Sequence, residues 1–432
     1  MDQFINYNTL IVLLGTTLLG ANAGLIGSFT VLRGRALIGD VLSHASLPGL
    51  FIAFLILGYR NLRVMFVGAL VSGIACILLI TFLRRWTRIK DDAALGVARS
   101  TFLGLGIALS SYIQNQKHTG SAAGIDSVFF GKTAGLLLED VTLFACVSAL
   151  SLALILLLYK EFQLAAFDPG FARVQGWPAL LLDNAQLALA AVTVVVALPT
   201  VGAILIAAML ILPGATMRFW TDRLSTLLIG AAVIGGVVGG VGTLASAEIS
   251  RLPTGPIIIL VGTVVFVASL LGAPRRGLLA RAAADRRFRR DLSLQALLRR
   301  LYEAAEMSTT RSSESSFADV RRSLGWSEAQ MRRVAQAAVL QQLVTRRSDD
   351  AISLTSVGVD YAQQVVRGYR IWQRFLTVYP DQSSSFATLD VQHVDDKLPP
   401  DVVRALETVL VAEGRLPAVG TGGRIALGGS ST

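Results

Sequence analysis

Apolar runs of membrane-spanning length follow one another through the first 274 residues, separated by short gaps, and then stop. With a span taken as roughly 20 apolar residues, the pattern predicts helices over 9–32, 41–57, 62–83, 93–113, 140–159, 180–197, 199–217, 225–247 and 255–273. The stretch 121–138 is also apolar but contains Asp126, Lys132 and three glycines. Counted as a full span it would move the basic tail outside, so a re-entrant or half-helical piece buried against protein is expected there. Beyond residue 290 the periodicity becomes that of amphipathic helices, with Leu294, Leu297, Leu298 and Leu301 on one face and Val334, Ala338 and Leu343 on another. Ser327 stands as the N-cap of a basic helix carrying Arg332 and Arg333, and a polar turn at Asp349-Asp350 separates two short apolar segments. Helix, basic helix and small hairpin form the outline of a winged helix. The expected fold class is mainly α: a polytopic α-helical membrane bundle of about nine spans, N-terminus outside, plus a soluble C-terminal winged-helix-like α+β domain. The expected divisions are 1–274 for the bundle, 275–290 for a basic juxtamembrane linker and 291–432 for the soluble domain.

The net charge of +10 adds an orientation. Much of the excess lies at Arg275, Arg276, Arg281, Arg286, Arg287, Arg289 and Arg290, directly after the last span. Such a run marks the cytoplasmic side and touches anionic lipid, without any need for nucleic acid. Alternate gaps agree: Arg33, Arg35, Arg84, Arg85, Arg88, Lys90, Lys160, Arg173, Arg218 and Arg223 fall inside, against Arg60, Arg63, Lys117 and Arg251 outside. Ala21-Asn22-Ala23 looks like a signal-peptidase site, but the leader carries Asp2 and no Lys or Arg, and the apolar run continues to Leu32. A retained first span is expected. Cys76 and Cys146 lie singly in apolar runs, which suggests neither a disulfide nor a thiolate site.

The residues with chemistry are at the start of the second span. Asp40 and His44 are four apart, one helical turn, on one face. A carboxylate and an imidazole together suit Mn, Fe or Zn, and ionisable groups within a span usually mark a pathway. The structural alternative is that Asp40 pairs with Arg33 or Arg35. Ser43 is turned about 100° away and is expected to pack or cap.

The stretch Val31-Leu-Arg33-Gly-Arg-Ala-Leu-Ile-Gly-Asp40-Val-Leu-Ser-His44-Ala-Ser-Leu-Pro48-Gly49 resembles the signature of the zinc/manganese/iron ABC-transporter permeases. So do, in order, Asp91-Asp92-Ala-Ala-Leu-Gly96, Phe167-Asp168-Pro-Gly-Phe-Ala172-Arg-Val-Gln-Gly176, Val201-Gly202 with Leu212-Pro213-Gly, and Leu252-Pro253-Thr-Gly-Pro256. The resemblance covers roughly 9–273. It implies an inner-membrane importer subunit for a divalent transition metal, with Asp40 and His44 as metal contacts in the translocation pathway. It also implies a coupling segment, including Phe167, Asp168, Ala172 and Gly176, that docks in an ATPase. No GxxxxGK[ST] phosphate loop is present in the sequence, so the chain is not expected to be an enzyme and ATP hydrolysis falls to a separate ATPase. The other implied partners are a second permease copy or paralogue, an extracytoplasmic metal-binding protein and membrane lipid. No tightly bound cofactor is implied, only the transported ion.

The tail resembles metal-dependent repressors of the diphtheria-toxin-repressor type through Leu354-Thr355-Ser-Val-Gly358 and Arg367-Gly-Tyr-Arg370-Ile-Trp372-Gln-Arg-Phe375-Leu376. Tyr369 and Gln373 stand where that family has a ligating His and Glu, and His393 has only Asp395 and Asp396 nearby, so a sensing site would be incomplete. Arg332 and Arg333 are the candidate DNA contacts. The alternative function is therefore a membrane-tethered, metal-responsive transcription regulator; the cytoplasmic tail serves otherwise as a scaffold for the permease.

Overall fold

The computed structural model describes residues 7–57, 62–115, 135–248, 253–274, 276–307, 314–348, 351–379 and 398–417. Most of the 121–138 stretch lies outside the described residues, as do Asp349, Asp350, His393, Asp395 and Asp396 and the side chains of Arg60, Arg63, Lys117 and Arg251. The chain divides into two compact units, Met1–Arg281 and Ala282–Thr432.

The first unit is a helical bundle: α1 (Tyr7–Leu32), α2 (Ile38–Leu57), α3 (Leu62–Trp86), α4 (Asp91–Asn115), α5 (Leu138–Leu157), the short α6 (Tyr159–Phe167) and α7 (Pro169–Val174), then α8 (Ala179–Val201), α9 (Ala203–Met217), α10 (Leu224–Glu248) and α11 (Thr254–Gly272). Among the described residues, eight helices are long and apolar enough to cross a bilayer. The seventh expected span, 199–217, is corrected to α9, which has 15 residues and therefore rises only about 22 Å. Pro199 does not begin it. Pro199 lies inside α8, which runs on to Val201 and breaks at Gly202, whose φ of +87° favours glycine. From Ala203, which shares a core cluster with Leu47 and Leu50, α9 runs to Ala207 and Leu210, which pack on Gly39.

The bundle centre is built by glycine. A Cβ on Gly20 would stand 2.2 Å from the Gly235 carbonyl oxygen, and one on Gly235 would stand 2.1 Å from that of Gly20. Hence α1 and α10 touch backbone to backbone, as small residues allow between membrane helices. Thr16 and Thr243 hydroxyls meet across this seam at 2.8 Å. Elsewhere the buried hydroxyls of Ser28, Ser43 and Ser46 return to carbonyls four residues back on their own helices, which satisfies them without water.

The second unit begins within α12 (Leu278–Met307), so the basic run from Arg281 to Arg290 is helical. It continues with β1 (Glu314–Ser316), α13 (Phe317–Leu324), α14 (Glu328–Leu340), β2 (Val344–Ser348), β3 (Ala351–Leu354), α15 (Ser356–Val378) and α16 (Pro400–Ala412). The strands form one antiparallel sheet in the order β1-β3-β2. Leu294, Leu297, Leu298 and Leu301 are buried with Met331, Val334, Ala338, Leu343 and Ile352 in its core, along the two faces expected from the periodicity. Ser327 accepts from the Gln330 amide and Thr355 from that of Gly358, which starts α14 and α15. A separate cluster of Ile371, Phe375, Leu398, Leu406 and Leu410 joins α15 to α16.

Candidate functional site

Asp40 and His44 lie in the first two turns of α2, side by side: His44 Nε2 is 3.3 Å from Asp40 Oδ1. The other carboxylate oxygen, Oδ2, pairs with Arg99 Nε of α4 at 2.8 Å. The alternative partners, Arg33 and Arg35, bind elsewhere. Both members of the pair are partly shielded, and His44 Nδ1 is buried with no hydrogen-bond partner. One turn on, Pro48 lies within α2 and has no N–H to offer the His44 carbonyl. Ser43 donates to the Gly39 carbonyl at 2.8 Å and faces away from any ligand role. A carboxylate and an imidazole side by side on one helix are oxygen and nitrogen donors of the kind a hard-to-borderline divalent cation takes. Among the described residues no group of three or more His, Cys, Asp or Glu gathers around an ion-sized space.

Arg33 and Arg35, in the α1–α2 connection, enter a buried ionic cluster. Arg33 Nη1 pairs with Asp183 of α8, and its Nη2 donates to the Ala165 carbonyl of α6 at 2.7 Å. Arg35 Nη1 reaches the same carboxylate at 2.8 Å and Arg35 Nε reaches Asp91 of α4 at 3.1 Å. Arg84, at the end of α3, completes the set with Asp91 at 2.9 Å and Asp183 at 3.0 Å. Burial, and then the neighbouring Arg35 and Arg84 charges, press the Arg33 guanidinium down to about 10, which leaves it charged at neutral pH. Sequence reasoning misses both Asp183 and Arg99. Each is an ionisable residue within a predicted span, a signal that marks function by itself, but their partners lie far away in the sequence.

The segment after α5 folds as two short helices. Asp168 joins them, and its Oδ1 accepts the Phe171 amide at 2.8 Å, with Pro169 at the first helical position. Gly176, with φ +84°, ends the segment. Ala172 is fully buried, yet Phe167, Phe171 and Trp177 are about half exposed and Val174 is 85% exposed. The six-residue α7 and its two flanks thus leave an apolar patch uncovered.

In the second unit Arg332 is an ion-pair partner of Glu328, and Arg333 donates to the Ala329 carbonyl. The Tyr369 ring lies beneath the Arg299 guanidinium, 4.0 Å from its centroid. Arg367 and Arg374 of α15 pair with Glu407 and Glu413. These charges bind α15 to its neighbours.

Apolar helices with glycine seams and an ionisable pair in one span define a polytopic α-helical membrane protein. The model of the ABC 3 transport family matches residues 6–273, and the chain belongs to that family. It is 37% identical over 420 residues to the manganese transport system membrane protein MntC of Bacillus subtilis, covering 96% of this chain and 94% of that protein. It is 39% identical over 279 residues to the zinc transport system membrane protein TroC of Treponema pallidum, covering 65% of this chain and 93% of that protein. The structure of PsaBC from Streptococcus pneumoniae in complex with Fab matches with a TM-score of 0.55 and 30% identity, over 63% of this chain and 94% of that one. Permeases of this family are transport subunits rather than enzymes, with ATP hydrolysed by a partner. The longer match also gives the second unit a counterpart in the Bacillus subtilis protein.

Proposed function

We propose that this chain is the permease of an ATP-driven importer for manganese, zinc or iron(II), and that Asp40 and His44 contact the ion on its way through. The observation that carries this reading is the Asp40–His44 pair, with its buried unpartnered Nδ1, on a helix facing Arg99. The manganese and zinc systems to which MntC and TroC belong support the cargo class. Arg99 places a tethered positive charge where a metal would sit, so it competes with the cargo and helps release it. Arg99→Gln is expected to tighten Mn(II) binding to the solubilised transporter about 5-fold, the effect of a half-exposed ion pair worth about 1 kcal/mol. Isothermal titration reads this directly, and unchanged affinity would remove Arg99 from the site.

The apolar patch of α7 is the surface on which the ATPase subunit docks. Phe171→Ala is expected to weaken association with the ATPase about 10-fold, as truncation of a central aromatic anchor does. Copurification of the ATPase over a concentration series checks it, and undiminished association would place the ATPase elsewhere. The permease acts as a pair, of two copies or with a paralogue, receives its ion from a binding protein outside the cell, and presents its tail to the cytoplasm. The order helix, strand, two helices, hairpin and helix supports a winged-helix-like reading of that tail. With Tyr369 used under Arg299 and Arg332 on Glu328, the tail is better suited to bracing the permease than to sensing metal.

A further inference from the structure

Three guanidinium groups from two chain segments converge on one carboxylate. Asp183 is 6% exposed and meets Arg33 and Arg35 of the α1–α2 connection and Arg84 of α3. The cluster reaches two functional parts at once. Arg33 spans from Asp183 to the Ala165 carbonyl, two residues before exposed Phe167 and the α7 docking patch. On the other side, Arg35 lies five residues before Asp40, with its carbonyl accepting the Ile38 amide that begins α2. Asp91, held by both Arg35 and Arg84, opens α4, which carries Arg99 to Asp40 two turns later.

We infer that Asp183 is a positioning residue that ties the ATPase-docking segment to the helices bearing the metal contacts. The inference rests on the docking and metal-contact readings above. Displacement of α6–α7 pulls Arg33 against Asp183, and the shared carboxylates pass that shift to the starts of α2 and α4. Rigid helices linked by a buried ionic hub move together, which is the physical requirement for coupling over this distance. Without the Asp183 charge, Arg33 loses its carboxylate, Arg35 and Arg84 are left to Asp91 alone, and the three guanidinium groups repel one another. The hub then separates. Asp183 touches no cargo itself, so its loss acts on coupling rather than on metal binding.

The test uses the full transporter, permease with its ATPase and binding protein, in lipid vesicles. Asp183→Asn keeps the side-chain size but removes the charge; Arg33→Lys keeps the charge but cannot span from the carboxylate to the Ala165 carbonyl, because an ammonium lacks the guanidinium fork. Asp183→Glu is the conservative rescue. Expected is a fall of about 10-fold in Mn(II) imported per ATP hydrolysed in Asp183→Asn and Arg33→Lys, a size typical of a coupling energy between sites. ATPase copurification and Mn(II) affinity of the permease should stay unchanged, and Asp183→Glu should recover much of the ratio. If the ratio holds at the wild-type value, whether or not both rates fall together, the inference is overturned. Should Asp183→Asn not assemble, Arg33→Lys decides by the same ratio. Failure of the docking reading is separately visible, because the ATPase would then copurify equally with Phe171→Ala.

Discussion

Replacing Asp40 with Ala is expected to abolish metal import while the permease still folds and still pairs with its ATPase. The carboxylate supplies the only negative charge at the pair, and its two oxygens are divided between His44 at 3.3 Å and Arg99 at 2.8 Å. Removing it leaves Arg99 unpaired beside the pathway, so the local field turns against a cation. Loss of even an outer-shell partner of a metal ligand costs about 10–100-fold, so loss of this ligand is expected to cost at least about 100-fold in uptake. His44→Ala is expected to act in the same direction but less severely, because it removes a neutral donor and leaves the charge. Radiolabelled Mn(II) uptake by cells carrying each variant, normalised to permease in the membrane, measures both. Uptake within a few-fold of wild type for Asp40→Ala would exclude the carboxylate as a metal contact.

The second large effect is on folding. Gly235→Leu is expected to disrupt the bundle, because its Cβ alone would stand 2.1 Å from the Gly20 carbonyl oxygen, and that oxygen belongs to a helix rather than to a side chain that can turn away. The helices would have to part along the α1–α10 seam, breaking the Thr16–Thr243 contact as well. Overpacking of this kind costs about 1–3 kcal/mol or more, which corresponds to about 3–10 °C in Tm for a unit of this size. Gly96→Ala and Gly104→Ala are the controls: a Cβ at either meets nothing within 4 Å. Thermal unfolding of the detergent-purified protein, followed by its monodispersity, separates the two classes. Equal Tm values for Gly235→Leu and Gly96→Ala would show that the seam does not hold the bundle.

Much of the bundle and of the Asp40–His44 pair is legible in the sequence because it is local. Apolar runs mark the spans, since a bilayer offers no partner for exposed backbone groups. The spacing of Asp40 and His44 is enough to set them on one helical face. Ser327 announces its helix because a cap is a contact within four residues. What is not legible is long-range or depends on burial. Pro199 suggests a boundary that the chain places three residues on at Gly202, where the backbone takes a φ of +87°. Asp183 finds Arg33 across 150 residues of sequence, and no spacing rule connects them. The apolar patch of α7 is defined by what remains uncovered: Phe171 and Val174 read as ordinary apolar residues, and only the fold makes Ala172 the one that faces inward.

The most direct measurement is ATP-driven Mn(II) accumulation in vesicles containing the permease, its ATPase and its binding protein, comparing wild type with Asp40→Ala/His44→Ala. The account predicts saturable accumulation by the wild type, and in the double variant continued ATP hydrolysis with no accumulation. Accumulation by the double variant at the wild-type rate would contradict it.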